Sequence, residues 1–129
     1  MIILTRQVDY GVQFLKALAV QKNGKSLSVR QFSHDSTISF LFLQRIVRKL
    51  KLHGIIHSER GPSGGYVLAR PDMSISLSDV IEAVEGPHGI VQCLKAGKMC
   101  ERKDVCTARP TFQSVQDTMN HMFREIRIV

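Results

Sequence analysis

The sequence predicts a mostly α-helical fold with one small β-hairpin and a long C-terminal helix. Three observations lead to this fold class. Apolar residues recur every three or four positions in several capped segments, which is typical of helices that pack on a core. Two β-prone runs flank a turn rich in glycine and proline, and the last segment repeats apolar residues at coiled-coil spacing.

The composition is that of a globular chain. Its 129 residues are 43% hydrophobic and 22% charged, which excludes wholesale disorder and suits one compact domain with a helical appendage. No apolar run approaches the roughly 20 residues of a membrane span, and the first residues lack the basic lead of a signal peptide. We therefore expect a cytoplasmic protein without a membrane partner, whose cysteines are reduced thiols or metal ligands.

The positive charge is concentrated in the first half of the chain. Residues 1–71 hold eleven Lys and Arg against three acids, a net charge of +8, whereas residues 72–129 hold seven against eight, a net charge of −1. A surplus that served only solubility would be spread along the chain. A basic half of this kind indicates binding to a polyanion, and nucleic acid is the usual one.

The first two helices are marked by their caps. Thr5 is expected to cap a helix that runs to about Val20. Ser28 and Gln31 have the spacing of a capping box, in which Gln31 reaches back to the cap, and they open a short second helix. A cluster of turn formers at residues 34–37 ends it.

The third helix is predicted to start near Ser39 and to end before Gly54. Four apolar residues form its buried stripe: Leu43, Ile46, Val47 and Leu50. Five polar or cationic residues lie outside that stripe: Gln44, Arg45, Arg48, Lys49 and Lys51. A solvated surface helix is the common explanation of such a charge run. After a short helix and a turn, however, the layout is that of a helix-turn-helix recognition element.

A hairpin follows, with Ile55–Ser58 and Tyr66–Ala69 as the predicted strands. Its turn is rich in glycine, which allows close backbone approach to a phosphate, and Arg60 stands at the edge of the tip. A plain exposed hairpin is the alternative. The segment lacks the Lys-Ser/Thr ending and the following helix of a phosphate-binding loop, so we favour a wing.

The last two helices complete the fold. Ser76 and Asp79 open a fourth helix, which Gly86 ends, and the final helix runs from Pro110 to about Ile126. Five apolar residues of the final helix form a seam with alternating spacings of three and four: Phe112, Val115, Met119, Met122 and Ile126. This seam would pack on the chain's own core or, as we favour, on a second copy, because a two-fold protein places two basic halves on one duplex.

All three cysteines lie in one fourteen-residue segment, at Cys93, Cys100 and Cys106. The segment has no helical or strand periodicity, so we expect a loop. Thiolates bind soft metals and iron–sulfur clusters, whereas the wide cysteine spacing fits structural zinc poorly. Four nearby cations would stabilise a net-negative cluster or reactive thiolates: Lys95, Lys98, Arg102 and Lys103. Spacing alone leaves open a cluster, cluster-free redox thiols, zinc or inert cysteines.

Several of these segments resemble one bacterial family. The beginning of the first helix, the helix Ser39–Leu52, the wing Arg60–Tyr66, the helix Leu77–Gly86 and the cysteine loop together resemble the Rrf2 family of winged-helix repressors over nearly the whole chain. The resemblance implies a homodimer that binds a palindromic operator. It also implies an iron–sulfur cluster on Cys93, Cys100 and Cys106, with 4Fe–4S favoured over 2Fe–2S, whose state controls DNA affinity in response to nitric oxide, redox or iron status.

Two positions bear on the fourth cluster ligand, Arg109 and Asp9. Some family members carry a histidine three residues after the last cysteine, but this chain has Arg109 there, which cannot coordinate iron. Asp9 matches a first-helix aspartate that looks like the fourth ligand in nitric-oxide-sensing members, and either the same or the partner subunit would supply it. Asp9 is equally explained as an exposed helix acid near the positive end of the helix dipole. Leu41 and Gln44 replace the polar and acidic base-reading residues of some relatives, so a relative's operator is not assumed.

The sequence thus predicts a transcriptional regulator, more specifically a repressor, in three parts: a winged helix-turn-helix (residues 1–86), a cluster-binding loop (87–109) and a dimerisation helix (110–129). The predicted DNA contacts are Ser28, Ser39, Leu41, Gln44, Arg45, Arg48, Lys49, Arg60, Ser63 and Gly64. The alternatives are a cluster-free thiol redox regulator of the same fold and a small iron–sulfur or redox carrier. An enzyme is not expected, since neither a Ser/His/Asp pattern nor a paired-carboxylate site is visible.

Overall fold

The computed structural model describes residues 4–21, 24–62, 64–69, 75–95 and 100–129. In chain order its elements are α1 (Arg6–Ala19), α2 (Val29–Ser36), α3 (Phe40–Leu52), β1 (Ile56–Glu59), β2 (Gly65–Leu68), α4 (Leu77–Glu85), a short 3-10 helix (Gln92–Leu94) and α5 (Arg109–Glu125). These elements confirm the predicted fold class, a mostly α chain with one hairpin and a long C-terminal helix.

Hydroxyl caps begin four of the helices, at Thr5, Ser28, Ser39 and Ser76. Ser76 and Asp79, which were predicted to open α4, form a complete capping box with hydrogen bonds of 3.1 and 2.8 Å. At Ser28 the prediction is half wrong. Its hydroxyl accepts from the Gln31 backbone N–H at 3.0 Å, but the Gln31 side chain donates to Asp35 at 2.9 Å instead of reaching back. A carboxylate four residues along the same helix face supplies a charged acceptor.

The core lies between α1, α3 and α4, with β1 closing one side. The predicted apolar stripe of α3 is buried over its whole length, which confirms that part of the sequence analysis. The largest fully buried side chains include Phe14, Leu15, Leu43, Ile46, Leu50, Ile56 and Ile81. Gly11 of α1 is buried in this core, and a Cβ there would make ordinary contacts, 3.4 Å from Val80 and 3.5 Å from Ile46.

The hairpin has the expected antiparallel pairing, with Ile56 opposite Leu68. Strand β1 starts one residue later than predicted and β2 one residue earlier. The physical reason at the first strand is that the Ile55 N–H donates to the Leu50 carbonyl at 3.1 Å. The Ile55 N–H therefore closes the end of α3, and only its carbonyl joins the hairpin, where it accepts from the Ala69 N–H at 3.0 Å.

A third extended segment, at Leu27, completes the wing, and the sequence analysis missed it. Leu27 and Tyr66 exchange two backbone hydrogen bonds, of 3.0 and 2.9 Å. Gly65 is required beside this pairing, because a Cβ there would lie 2.4 Å from the Leu27 carbonyl carbon and oxygen. The wing is thus joined directly to the start of α2.

Helix α5 packs on α4 through a face that does not coincide with the predicted seam. Its buried residues are Gln116 and Phe123. Most of the seam is exposed in the single chain, with fractions of 40% at Phe112, 46% at Val115, 47% at Met122 and 43% at Ile126. Met119 alone in the seam packs against the core. The seam is therefore mostly uncovered by this chain.

The C-terminal tail is a second feature that the sequence did not indicate. Ile126 accepts from the Leu77 N–H at 2.8 Å, and the Ile128 N–H donates to Ile75 at 2.7 Å. This short antiparallel bridge fixes the end of α5 to the beginning of α4. Within the ranges described, no helix is long and apolar enough to cross a bilayer.

Candidate nucleic-acid interface

The outer face of α3 is a single exposed stripe, polar or cationic at every position except Leu41. We call it the α3 stripe: Leu41, Gln44, Arg45, Arg48 and Lys51. All five side chains are exposed, while the opposite face of the helix is buried in the core. The spacing of three and four residues places them above one another along one side of the helix. An amphipathic helix with a cationic outer face is suited to entering a groove of a nucleic acid.

A cleft of about 560 Å³ lies between this stripe, the start of α2 and β2. Ser28, Arg30, Gln44, Arg48 and Lys51 are among the residues that line it. The cleft therefore brings together predicted contacts from the cap of α2 and from α3. It also adds Arg30 and Lys51, which the predicted contact set did not include.

Arg30 stacks its guanidinium on the ring of Phe40, with 4.3 Å between the guanidinium carbon and the ring centroid. This cation–π contact holds the cation at the junction of α2 and α3. The sequence feature that could have indicated a role for Arg30 is its position two residues after the Ser28 cap. Its pairing with Phe40 depends on the angle between two helices, which no local pattern specifies.

The cations of this face have no ion-pair partner among the residues that the structure describes. Over the described part of the chain, the ion pairs are His34–Asp35 and His57–Glu59, and neither includes a lysine or arginine. Exposed guanidinium groups without carboxylate partners keep their full attraction for phosphate.

Lys49 differs from its cationic neighbours. Its ammonium donates to the Gln7 side-chain oxygen at 2.9 Å and to the Val84 carbonyl at 3.0 Å. These bonds tie α3 to α1 and to the last turn of α4, where a positive charge also offsets the helix dipole. A phosphate contact by Lys49 would require both hydrogen bonds to break.

Arg60 and Gly61 are exposed at the wing tip. The Gly64 N–H donates a hydrogen bond to the Gly61 carbonyl at 2.9 Å. A Cβ at Gly64 would lie 2.8 Å from two carbonyl oxygens of the tip itself. The close approaches of Gly64 and Gly65 are thus to the protein's own backbone, whereas the sequence analysis assigned wing glycines to phosphate approach. Ser63 lies outside the described residues.

At the end of α2, Asp35 is exposed and carries two hydrogen bonds. The Gln31 amide, and to a smaller extent the neighbouring His34, lower the pKa of this carboxyl. Asp35 is therefore a firmly ionised acceptor on the surface of α2.

The three cysteines are half-buried and free. Cys93 lies in the 3-10 helix rather than in an irregular loop, and Cys100 and Cys106 flank the turns at residues 101–105. In the described portion, no three His, Cys, Asp or Glu side chains lie together so as to hold a metal ion. The thiol set has the chemistry of an iron–sulfur site, but this arrangement does not bring it together.

Asp9 is exposed on α1, where its carboxylate accepts from Gln13 at 2.9 Å. It is not gathered with the cysteines of the same chain. Arg109 begins α5, three residues after Cys106, and one of its terminal nitrogens is buried without a hydrogen-bond partner among the described residues. An unpartnered guanidinium nitrogen next to the thiol segment favours an anionic neighbour there.

Comparison with known proteins places this geometry in context. The model of the Rrf2 family, described as an iron-dependent transcriptional regulator, matches residues 4–129. The chain is 31% identical over 106 residues to protein rrf2 of Nitratidesulfovibrio vulgaris, covering 82% of this chain and 71% of that protein. It is 26% identical over 125 residues to the HTH-type transcriptional regulator IscR of Escherichia coli, covering 97% and 76%.

Solved structures have the same fold. CymR, the global cysteine regulator of B. subtilis, superposes with a TM-score of 0.75 at 23% identity, over 99% of this chain and 94% of that one. IscR of T. potens superposes with a TM-score of 0.73 at 22% identity, over 96% and 81%.

Proposed function

The chain belongs to the Rrf2 family of transcriptional regulators, and we propose that it binds a palindromic operator as a homodimer and represses transcription under the control of its cysteine segment. Family membership makes it a DNA-binding regulator rather than an enzyme or a small redox carrier. The division into residues 1–86, 87–109 and 110–129 is part of the proposal.

The observation that carries DNA binding is the uncompensated charge of the α3 stripe beside the wing. In the proposed complex α3 enters the major groove, where Leu41 and Gln44 face base edges and Arg45 and Arg48 reach bases or phosphates. Ser28 and Ser39 present capped helix N-termini, which suit phosphate oxygens. We assign Arg60, with Ser63 and Gly64, to the adjacent minor groove.

The geometry revises the set of phosphate contacts. Because Lys49 is held by Gln7 and Val84, we assign its predicted role to Arg30 and Lys51. Lys51 extends the α3 stripe by one turn, and Arg30 is fixed at the cleft by its stacking on Phe40.

The test of this function is DNA binding measured against salt concentration. Each lost phosphate contact should lower the slope of log affinity against log salt by about 1. We expect that loss for Arg48→Ala and Lys51→Ala. Gln44→Ala should instead relax preference at one base position by about 1–3 kcal/mol and leave the slope unchanged. If all three variants bind like the parent, α3 does not enter a groove.

The second part of the proposal is a dimer across the α5 seam. The supporting observation is that four of its five apolar residues remain 40–47% exposed in the single chain. A continuous apolar strip on a helix whose other face is already packed is suited to a second copy of itself. Such a dimer would place two α3 stripes on one palindromic duplex.

Charge substitution in the seam tests the dimer. Val115→Asp with Met122→Asp should give a monomer by light scattering with a folded winged domain, because the dimer would bury unpaired charges. Met119 is unsuitable for this test since it also packs on the core. Ser114→Asp, on the exposed side of α5 away from the seam, is the matched control. A seam double variant that stays dimeric would refute the assignment.

The third part concerns the sensor. We propose that Cys93, Cys100 and Cys106 hold an iron–sulfur cluster, 4Fe–4S rather than 2Fe–2S, with Asp9 of the partner subunit as the candidate fourth ligand. The support is the chemistry of the donor set, the family's description as iron-dependent, and the unpartnered Arg109 nitrogen. A bound cluster would supply a centre that responds to oxidants, nitric oxide or iron supply.

Convergence of the three thiols requires the segment between α4 and α5 to rearrange, since they are not gathered now. That segment joins the winged domain to the proposed dimer helix. Its rearrangement would therefore change the spacing of the two α3 stripes. The competing proposal is a cluster-free thiol switch. Its support is the likeness to CymR of Staphylococcus aureus, whose oxidized form superposes on this chain with a TM-score of 0.70 at 24% identity.

Anaerobic purification with iron and sulfide analysis separates these two sensors. A cluster protein should be coloured, and Cys93→Ala, Cys100→Ala or Cys106→Ala should each remove the colour. Asp9→Ala should leave a more labile cluster, because a carboxylate is a harder donor than thiolate, whereas Asp117→Ala on the exposed face of α5 should have no effect. Iron-free protein whose DNA affinity changes on thiol oxidation would favour the thiol switch.

A further inference from the structure

Three consecutive apolar residues, Phe40, Leu41 and Phe42, open α3. Phe40 lies under the Arg30 guanidinium at 4.3 Å, and Phe42 meets Tyr10 edge to face with 5.4 Å between ring centroids. Both aromatic rings therefore contribute to the domain's own packing. Leu41, between them, is 71% exposed and has no such role.

Leu41 lies on the α3 stripe, one and two helical turns before Gln44, Arg45 and Arg48. A leucine surrounded by unpaired cations is poorly suited to an apolar protein partner, because docking would desolvate the neighbouring charges. The charge of this stripe instead favours a polyanion. The partner must then be a polyanion that also displays an apolar group.

The thymine 5-methyl group is the apolar group that the major groove of DNA displays. Recognition helices contact base edges chiefly through their N-terminal residues, and Leu41 is in the first turn of α3. We propose that Leu41 is a specificity-determining residue that packs against a thymine methyl in each half-site. The inference rests on the proposed function, because it requires α3 to enter the major groove.

The test begins with selection of preferred duplexes from a random pool by the parent protein. Each thymine of the selected duplex is then replaced singly by deoxyuridine, which removes only the methyl group. At one position in each half-site, this replacement should lower the affinity of the protein for the duplex about fourfold, since burying one methyl-sized group contributes about 0.8 kcal/mol. Leu41→Ala should bind the thymine and uracil duplexes equally.

The matched control is Leu52→Ala. Leu52 is in the same helix and is 75% exposed, but it lies in the last turn, so its loss should leave the thymine-to-uracil affinity ratio at the parent value. Leu41 is exposed as well, so neither substitution should prevent folding, which circular dichroism checks.

The possible failures are distinguishable. If the parent protein selects no sequence and binds all duplexes alike, the proposed sequence-specific regulator is refuted. If it selects a sequence but no thymine responds to uracil, the proposed function stands and the role of Leu41 is overturned. A uracil effect that persists unchanged in Leu41→Ala also overturns it, since another residue would then contact the methyl group.

Discussion

Lys49 and Arg48 are adjacent cations of α3, yet the structure gives them different roles. Arg48 is exposed on the α3 stripe, whereas the Lys49 ammonium is half-buried and bonded to Gln7 at 2.9 Å and to the Val84 carbonyl at 3.0 Å. A hydrogen bond from a charged donor contributes about 1.5–3 kcal/mol. Because Lys49 is partly exposed, we take that range for its two bonds together. Lys49→Ala should therefore destabilise the fold by about 1.5–3 kcal/mol.

For a chain of this size that loss corresponds to a fall in melting temperature of about 5–12 °C. Arg48→Ala should leave the melting temperature nearly unchanged and lower the salt slope of DNA binding by about 1. Lys49→Ala should lower the melting temperature and, when DNA binding is measured on the folded protein, leave the salt slope unchanged. Thermal unfolding by circular dichroism and salt-dependent DNA binding measure both quantities. If Lys49→Ala melts like the parent and loses one unit of salt slope, its ammonium contacts DNA and the structural role is refuted.

Three further predictions follow from local geometry. Gly65→Ala should lower the free energy of unfolding by about 1–3 kcal/mol, because it breaks the two hydrogen bonds between Tyr66 and Leu27. The control Gly11→Ala meets only ordinary contacts and should be neutral or stabilise α1 by up to about 1 kcal/mol. Urea unfolding measures both variants. Gln116→Leu should cost about 1–3 kcal/mol, because the buried amide oxygen accepts a backbone N–H at 2.7 Å that would lose its partner; equal stability of variant and parent would contradict this. The pKa of Asp35 is lowered in the folded state, so its contribution to stability is present above the unfolded value near 3.8 and is lost as pH falls through the folded value. Gln31→Ala should raise that pKa toward its ordinary value in an NMR titration.

The signals that the sequence carried reliably were local ones. The hydroxyl caps at Thr5 and Ser76, the start of α3 near Ser39 and the apolar stripe of α3 involve residues within four positions of each other. Chain geometry alone fixes their relation. The hairpin was also predictable, because its turn chemistry and β-prone flanks are contiguous. Its strands were each offset by one residue. At β1 the reason is that the Ile55 N–H bonds to the Leu50 carbonyl of α3, which leaves only the Ile55 carbonyl to the hairpin.

The candidate interface was predictable only in part. Gln44, Arg45 and Arg48 follow from helical spacing, and they are exposed as expected. The role of Arg30 was missed, because it depends on a ring of another helix. The extent of the α5 seam was predicted, but which of its residues already packs on the core was not, and Met119 is the one that does.

By itself, the sequence determined the elements, their caps, the basic half and the thiol segment, because each of these depends on residue type and short spacing. Tertiary structure decided which of the neighbouring cations Arg48 and Lys49 is free. It places the Gln7 and Val84 oxygens beside Lys49, whereas Arg48 is exposed and has no such acceptor among the described residues. It also decided that Leu27 completes the wing and that the tail after Ile126 fixes α5 to α4. Hydrogen bonds between segments tens of residues apart stabilise these arrangements, and no local pattern records a distant partner.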